Sequence, residues 1–301
     1  MASSGVLSSS QLTTDDALPP MPVIFGRSKA MLEVRQRLES VAGTNVPVLI
    51  NGESGTGKEV LAKVLHHASP WSGGPFVKVS CPAIPATLME SELFGYEKGA
   101  FTGAYGSKPG RVEMASRGTL FLDEISELDP GLHAKLLQLL QDGQFCRIGA
   151  QEDKRVDARV VCATNRDLQR EIEAGSFRAD LFYRINVLSL SLPSLRDRAE
   201  DIPELVDYFL KTYCKTFGKS AQVVSKDSLR LMQGYGWPGN IRQMENLIKR
   251  LVIPGSEDVL INELLGSPTT SVLPEIAEGG AVGLKEITQQ VVQEVERRVI
   301  L

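Results

Sequence analysis

The chain has 301 residues, 42% hydrophobic and 23% charged, with a formal net charge of -4. That composition supports one large or two medium folded domains and excludes disorder throughout; the weakly acidic balance argues against a broad polyanion-binding surface, so any DNA contact has to be local. Four scattered cysteines (Cys81, Cys146, Cys162, Cys214) without a C-x-x-C pair, and three histidines (His66, His67, His133) without a ligand cluster, imply reduced thiols in the cytoplasm and no metal framework.

Residues 1–22 are rich in Ser, Thr and Pro, lack periodicity, and carry neither a basic n-region nor an apolar h-region, so they read as a disordered leader or linker. Nowhere do eighteen apolar residues run together, which gives no membrane partner. Order begins at "VIFGRS". Met31, Val34, Leu38 and Val41 then repeat at helical spacing from Ser28, and "VPVLIN" reads as a buried strand. After the loop "GESGTG" a helix starts near Lys58. "FVKVS" is a strand, "ATLMESELF" a helix, "TLFLDE" an apolar strand ending in acids, "PGLHAKLLQLLQ" a helix, and "ARVVCATN" another strand. Short buried strands separated by helices mean a parallel sheet covered on both faces, an α/β fold spanning 23–199. After "LPSLRDR" only helical patterns follow, among them Ile202, Leu205, Tyr208, Phe209 and Tyr213, which predicts a small all-helical domain over 200–266. Residues 267–283 read as a linker, and Leu284, Ile287, Val291 and Val295 restart an amphipathic helix over 284–301 that looks cut off.

"GESGTGKE" satisfies G-x-x-x-x-G-K between an apolar strand and a helix, the context of a phosphate-binding loop. Gly52, Gly55 and Gly57 let backbone N–H groups curl around phosphates, the helix start adds partial positive charge, and Lys58 supplies a point charge. Glu53, Ser54 and Thr56 complete the expected nucleotide-binding stretch. Glu59 stands where a Ser or Thr normally touches magnesium, so magnesium falls to Thr56, water and the next acids. Those acids, Asp123 and Glu124, end an apolar strand, where open α/β sheets bind ligands. Asp123 is the candidate metal-orienting carboxylate and Glu124 the candidate general base. "GAFTGA", residues Gly99, Ala100, Phe101, Thr102, Gly103 and Ala104, reads by itself only as a glycine-rich turn.

Together, "GESGTGKE", "ESELFGYEKGAFTGA", "GTLFLDE", "ATNRDL", "FRADLFYRINV" and "WPGNIRQMENL" resemble, in order, the AAA+ central domain of bacterial enhancer-binding proteins, the sigma-54-dependent activators. The resemblance runs from about Ile24 to Ile253. It implies an AAA+ P-loop NTPase, a parallel sheet between helices followed by a helical lid, that binds ATP and Mg2+, hydrolyses ATP as a homo-oligomeric ring, a hexamer by the resemblance, and remodels the sigma-54 RNA polymerase closed promoter complex. It also implies roles by position. The "GAFTGA" hexapeptide tips a loop on sigma-54, with Phe101 in contact and Thr102 in support. Thr164 and Asn165 resemble sensor I. Arg178 and Arg184 are similar to arginine fingers for a neighbouring subunit, Arg242 to sensor II, and Ile24 and Phe25 frame adenine; Trp237 and Pro238 set the packing of the lid. DNA would be reached only through a domain missing from this chain. The family commonly has Asn where this chain has Ser80, which puts the restraint on Glu124 in question. The alternatives are an AAA+ remodeller of a different client and a nucleotide-dependent scaffold with little turnover.

Overall fold

The computed structural model describes residues 18–265, apart from 254 and 256. Its first element, α1 (Met21–Phe25), has Pro22 in the opening turn, where an amide N–H has no helical partner to lose. Helical order therefore includes Met21 and Pro22, which the sequence reading left in the leader, and Leu18 packs against the core. The stripe expected after Ser28 is buried as α2 (Lys29–Val41) through Met31, Val34, Leu38 and Val41.

Next come β1 (Val48–Asn51), α3 (Lys58–His67), β2 (Phe76–Ser80) and α4 (Ala86–Phe94). A short antiparallel pair, β3 (Gly95–Tyr96) and β4 (Lys108–Pro109), brackets the "GAFTGA" turn, and α5 (Arg111–Met114) follows. The chain continues through β5 (Thr119–Asp123), α6 (Pro130–Asp142), a second small pair β6 (Gln144–Phe145) and β7 (Lys154–Arg155), β8 (Arg159–Thr164), α7 (Leu168–Glu173), α8 (Ala179–Ile185) and β9 (Leu188–Ser191).

Five strands form one parallel sheet in the order β2-β5-β8-β1-β9. Side chains alternate between faces along each strand. Leu49, Leu120, Leu122, Val160 and Cys162 therefore enter one apolar core with Leu93, Leu136 and Leu181, while Val48, Ile50, Phe121, Val161 and Ala163 enter another with Met31, Leu38 and Leu61. Both faces are covered, as continuous apolar strands require. The same topology sets the ends of β1, β5 and β8 side by side, with Asn51 in register with Thr164.

Arg159 shows how a buried charge is tolerated beneath this layer. Its guanidinium donates to the carbonyls of Ala42 and Val41, both at 2.9 Å, satisfying acceptors that the end of α2 leaves over. Burial draws its pKa down to about 10.

A 3-10 segment (Leu195–Asp201) leads into α9 (Ile202–Thr216), α10 (Lys226–Gly234), α11 (Asn240–Val252) and α12 (Asp258–Leu265). Their core holds Leu205, Leu210, Met232, Met244, Leu247 and Trp237, whose indole N–H donates to the Met232 carbonyl at 2.7 Å. Trp237 thus packs the lid. The lid entrance is tied to the α1–α2 turn, since the buried Asp201 carboxylate accepts from Arg27 N–H, Ser28 N–H and the Ser28 hydroxyl. Among the described residues, no helix is long and apolar enough to cross a membrane. The expected linker over 267–283 and helix over 284–301 lie outside the described residues, as does the leader up to residue 17.

Candidate active site

A cavity of about 800 Å³ lies between the strand ends and the lid. Into it comes the loop joining β1 to α3, which turns through left-handed glycines, Gly55 (φ +80°) and Gly57 (φ +101°). At its end the Lys58 ammonium reaches back to the Gly52 carbonyl (2.9 Å) and to Glu124 Oε1 (3.1 Å), and the side chain is only 6% exposed. Within the loop, the Thr56 hydroxyl donates to the Glu53 carbonyl at 2.8 Å, so it braces the turn.

Glu124 follows β5 with φ +56° and ψ +60°, a conformation that non-glycine residues rarely hold. Its other oxygen accepts from the Asn165 backbone N–H at 2.9 Å. The carboxylate thus bridges the phosphate loop and the end of β8. Asn165 itself is exposed and lines the cavity. Thr164 points elsewhere: it is fully buried, donates to the Ser126 hydroxyl and accepts from Arg166 N–H. Ser80 ends β2 in register with Asp123 and also lines the cavity, but the side chain that grips Glu124 is Lys58.

Lys78, which the sequence reading passed over, lies 2.6 Å from Glu59 and 3.5 Å from Asp123. Burial pulls its pKa down, but the carboxylates of Glu59 and Asp123 outweigh burial and hold it above the ordinary lysine value. Burial likewise raises the Glu59 carboxyl, and Lys78 and Lys63 bring it below the usual range. Two hard oxygen donors gathered around one cation suit magnesium, which keeps several waters and takes few protein ligands. Asp123 supplies one such donor at the cavity wall.

The lid closes the other side. Arg242 lines the cavity with Nη1 3.0 Å from the Ser54 hydroxyl, and Ile241, Tyr208, Phe209 and Tyr213 add apolar and aromatic wall. The last three share one face of α9 that the sequence reading counted as lid core; they are half-buried because the apolar stripe there is wider than its own core needs. Ile24 also lines the cavity, whereas Phe25 does not. Phe25 is a correction: it is buried against α2, with the Arg35 guanidinium 5.7 Å from its ring. The roughly 100° between adjacent helical residues turns Ile24 to the cavity and Phe25 to α2 here.

Arg178 and Arg184 do not line the cavity of their own chain. Arg178 stands just before α8 and pairs with Asp180 at 2.6 Å; that hydrogen bond keeps its guanidinium above its ordinary pKa. Arg184 donates to the Leu140 carbonyl at 2.8 Å, at the end of α6.

The "GAFTGA" turn stands apart from the cavity. Gly99 N–H closes it onto the Ala104 carbonyl at 2.9 Å, and Ala104 is buried. Thr102 and Phe101 are exposed, although the Phe101 ring meets Tyr96 edge to face with centroids 4.9 Å apart. Below it, Arg147 from the loop after β6 joins Glu97 (2.9 Å) to Glu113, clamping the foot of the turn.

Comparison with known proteins agrees with this architecture. A family model described as the sigma-54 interaction domain matches residues 24–191, and one described as the AAA+ ATPase lid domain matches residues 196–271. The Nif-specific regulatory protein of Herbaspirillum seropedicae is 50% identical over 227 residues, which are 75% of this chain and 42% of that protein. The DNA-binding transcriptional regulator NtrC of Rhizobium meliloti (strain 1021) is 43% identical over 282 residues, 92% of this chain and 58% of that protein. The crystal structure of NtrX from Brucella abortus in complex with ADP has a TM-score of 0.77 at 35% identity, covering 88% of this chain and 60% of that one. Its complex with ATP has a TM-score of 0.77 at 34% identity, over 90% and 61%. The chain spans about half the length of the curated relatives it matches. Such a match over most of the sheet domain and the lid means that the chain belongs to the sigma-54 interaction domain family, the AAA+ central domain of sigma-54-dependent transcriptional activators.

Proposed function

We propose that the chain hydrolyses ATP in the cavity between sheet and lid and uses the resulting movement to drive the 99–104 loop against sigma-54 in the RNA polymerase closed promoter complex. The contact between Lys58 and Glu124, at 3.1 Å, carries the reading. A cation suited to phosphate oxygens faces a carboxylate suited to water. With ATP as substrate, Lys58 turns its ammonium to the β and γ phosphates, beside the loop N–H groups and the start of α3. Glu124, released from the pair, is then free to take a proton from the attacking water. Asp123 would hold magnesium, which supplies neutralisation of phosphate charge when bound. Arg242 carries a second cation toward the phosphates from the lid, and Ile24, Tyr208 and Phe209 give the base an apolar wall.

Arg178 and Arg184 stand outside their own cavity, so their proposed charge-stabilising role needs a second copy of the chain. A closed homo-oligomeric ring, a hexamer in this reading, meets that need. NtrX, crystallised with ADP and with ATP, supports nucleotide binding by likeness. Steady-state ATPase measured across protein concentration, with and without sigma-54, tests the proposal. Turnover per subunit should rise with concentration, and sigma-54 should be retained on the protein in the presence of a non-hydrolysable ATP analogue. Turnover that stays constant down to the monomer would remove the shared site, and absent retention would favour another client.

A further inference from the structure

The phosphate loop is bonded directly to the start of α11 in the lid. Asn240, the first residue of α11, is fully buried at φ +51°, a conformation asparagine tolerates better than most residues. Its amide is used at both ends. Oδ1 accepts from Leu195 N–H at 2.8 Å, while Nδ2 donates to Glu53 Oε2 at 3.0 Å and to the Ser54 carbonyl at 3.1 Å. Arg196 adds a two-pronged ion pair to the same Glu53 carboxylate and, ahead of Asn240, holds that carboxyl below its usual pKa. The next two amides of α11, Ile241 and Arg242, donate to the Gly55 carbonyl at 3.0 and 3.4 Å. Helix-terminal N–H groups that lack helical partners are thus satisfied by the phosphate loop itself.

Glu53 consequently faces the lid, not the phosphates, although the sequence groups it with the phosphate-binding residues. A carboxylate turned toward a triphosphate would also be repelled by it. We infer that Glu53 and Asn240 are positioning residues that make the phosphate loop and the lid move as one piece, so that the loop receiving the phosphates also sets Arg242 over the cavity. The ion pair with Arg196 is half-exposed and contributes little by itself. The buried amide does most of the joining, because its loss leaves Leu195 N–H and the Ser54 carbonyl without partners. The catalytic consequence rests on reading the cavity as an ATPase site; the tie does not.

The full chain carrying Glu53→Gln, Arg196→Gln, both together, or the more severe Asn240→Ala tests this. Without nucleotide, hydrogen exchange at the Ile241 and Arg242 amides should accelerate about tenfold in Glu53→Gln while the amides of β8 keep their protection. With MgATP, kcat should fall about tenfold while KM stays within about threefold, the pattern of a lost positioning contact. The double variant should lose no more than the worse single one, as members of one joint do. Unchanged exchange, or losses that simply add, would overturn the inference. So would a large KM rise in Glu53→Gln at unchanged exchange, which would make Glu53 a nucleotide ligand. If Asn240→Ala fails to fold, the Glu53 and Arg196 variants decide the matter. If the unaltered chain turns over no ATP, the ATPase reading falls while the exchange measurement still judges the tie.

Discussion

The phosphate loop and the 99–104 loop are both glycine-rich turns with left-handed glycines, but the space around those glycines differs. At Gly55 a Cβ would stand 2.4 Å from the Gly239 carbonyl oxygen; at Gly99 and Gly103, with φ of +85° and +103°, it would meet nothing within 4 Å. Gly55 is therefore constrained by its dihedral angles and by close approach of the lid, Gly99 and Gly103 by their dihedral angles alone. Side chains follow the same division. Lys58 is gripped on two sides at 6% exposure, whereas Phe101 leans on one ring and remains 46% exposed. The site that holds fixed charges is crowded, and the tip proposed to meet a partner is left uncovered on one side.

Glu124→Gln should produce the largest effect. Gln keeps one acceptor oxygen, enough for either Lys58 or the Asn165 N–H, and cannot take a proton, so turnover should drop about a thousandfold while binding of a fluorescent ATP analogue persists. Single-turnover kinetics would check this, and a rate within a few-fold of the unaltered protein would move the base elsewhere. Gly55→Ala comes next. It adds a strained φ of +80° to an overlap with backbone, a combined cost of about 2–4 kcal/mol. Urea denaturation should register that loss together with weaker nucleotide binding, and a neutral result would mean that the lid does not press on the loop.

How far the sequence led depends on the range of the interactions involved. The helix Ala86–Phe94 coincides with the quoted "ATLMESELF", and α2 buries the four residues picked by their spacing, because periodicity is a local signal. The edge strand β9 went unnamed, since "LSLS" is short and only partly buried, and the two-residue strands β3, β4, β6 and β7 carry no pattern at all. At the site, Lys58, Asp123 and Glu124 were legible through their strand-loop-helix contexts. Lys78, Tyr208 and the turning of Glu53 toward Asn240 were not, because each depends on a partner far along the chain, 187 residues away for Glu53 and Asn240.

Phe101→Ala tests the open side of the comparison. Removing an anchor ring from a partner contact typically weakens association by about ten- to a hundredfold, so capture by sigma-54 should fall by that much while ATP turnover changes less than about twofold. Retained capture would show that another part of the turn makes the contact.

Gly99→Ala should have the smallest effect and separates shape from contact. The methyl meets empty space, so the only penalty is the left-handed φ, about 1 kcal/mol. Because Gly99 lies on the open side of the turn, where the tip can relax without unfolding the body, that penalty should appear as a shifted loop equilibrium rather than as a lower unfolding midpoint. Sigma-54 capture should weaken about fivefold, the factor that 1 kcal/mol supplies, with the urea midpoint unchanged. A fall in the midpoint as large as that of Gly55→Ala would mean that the two loops are equally built into the fold, and the contrast between a crowded chemical site and an uncovered contact tip would then fail at the residue where it is sharpest.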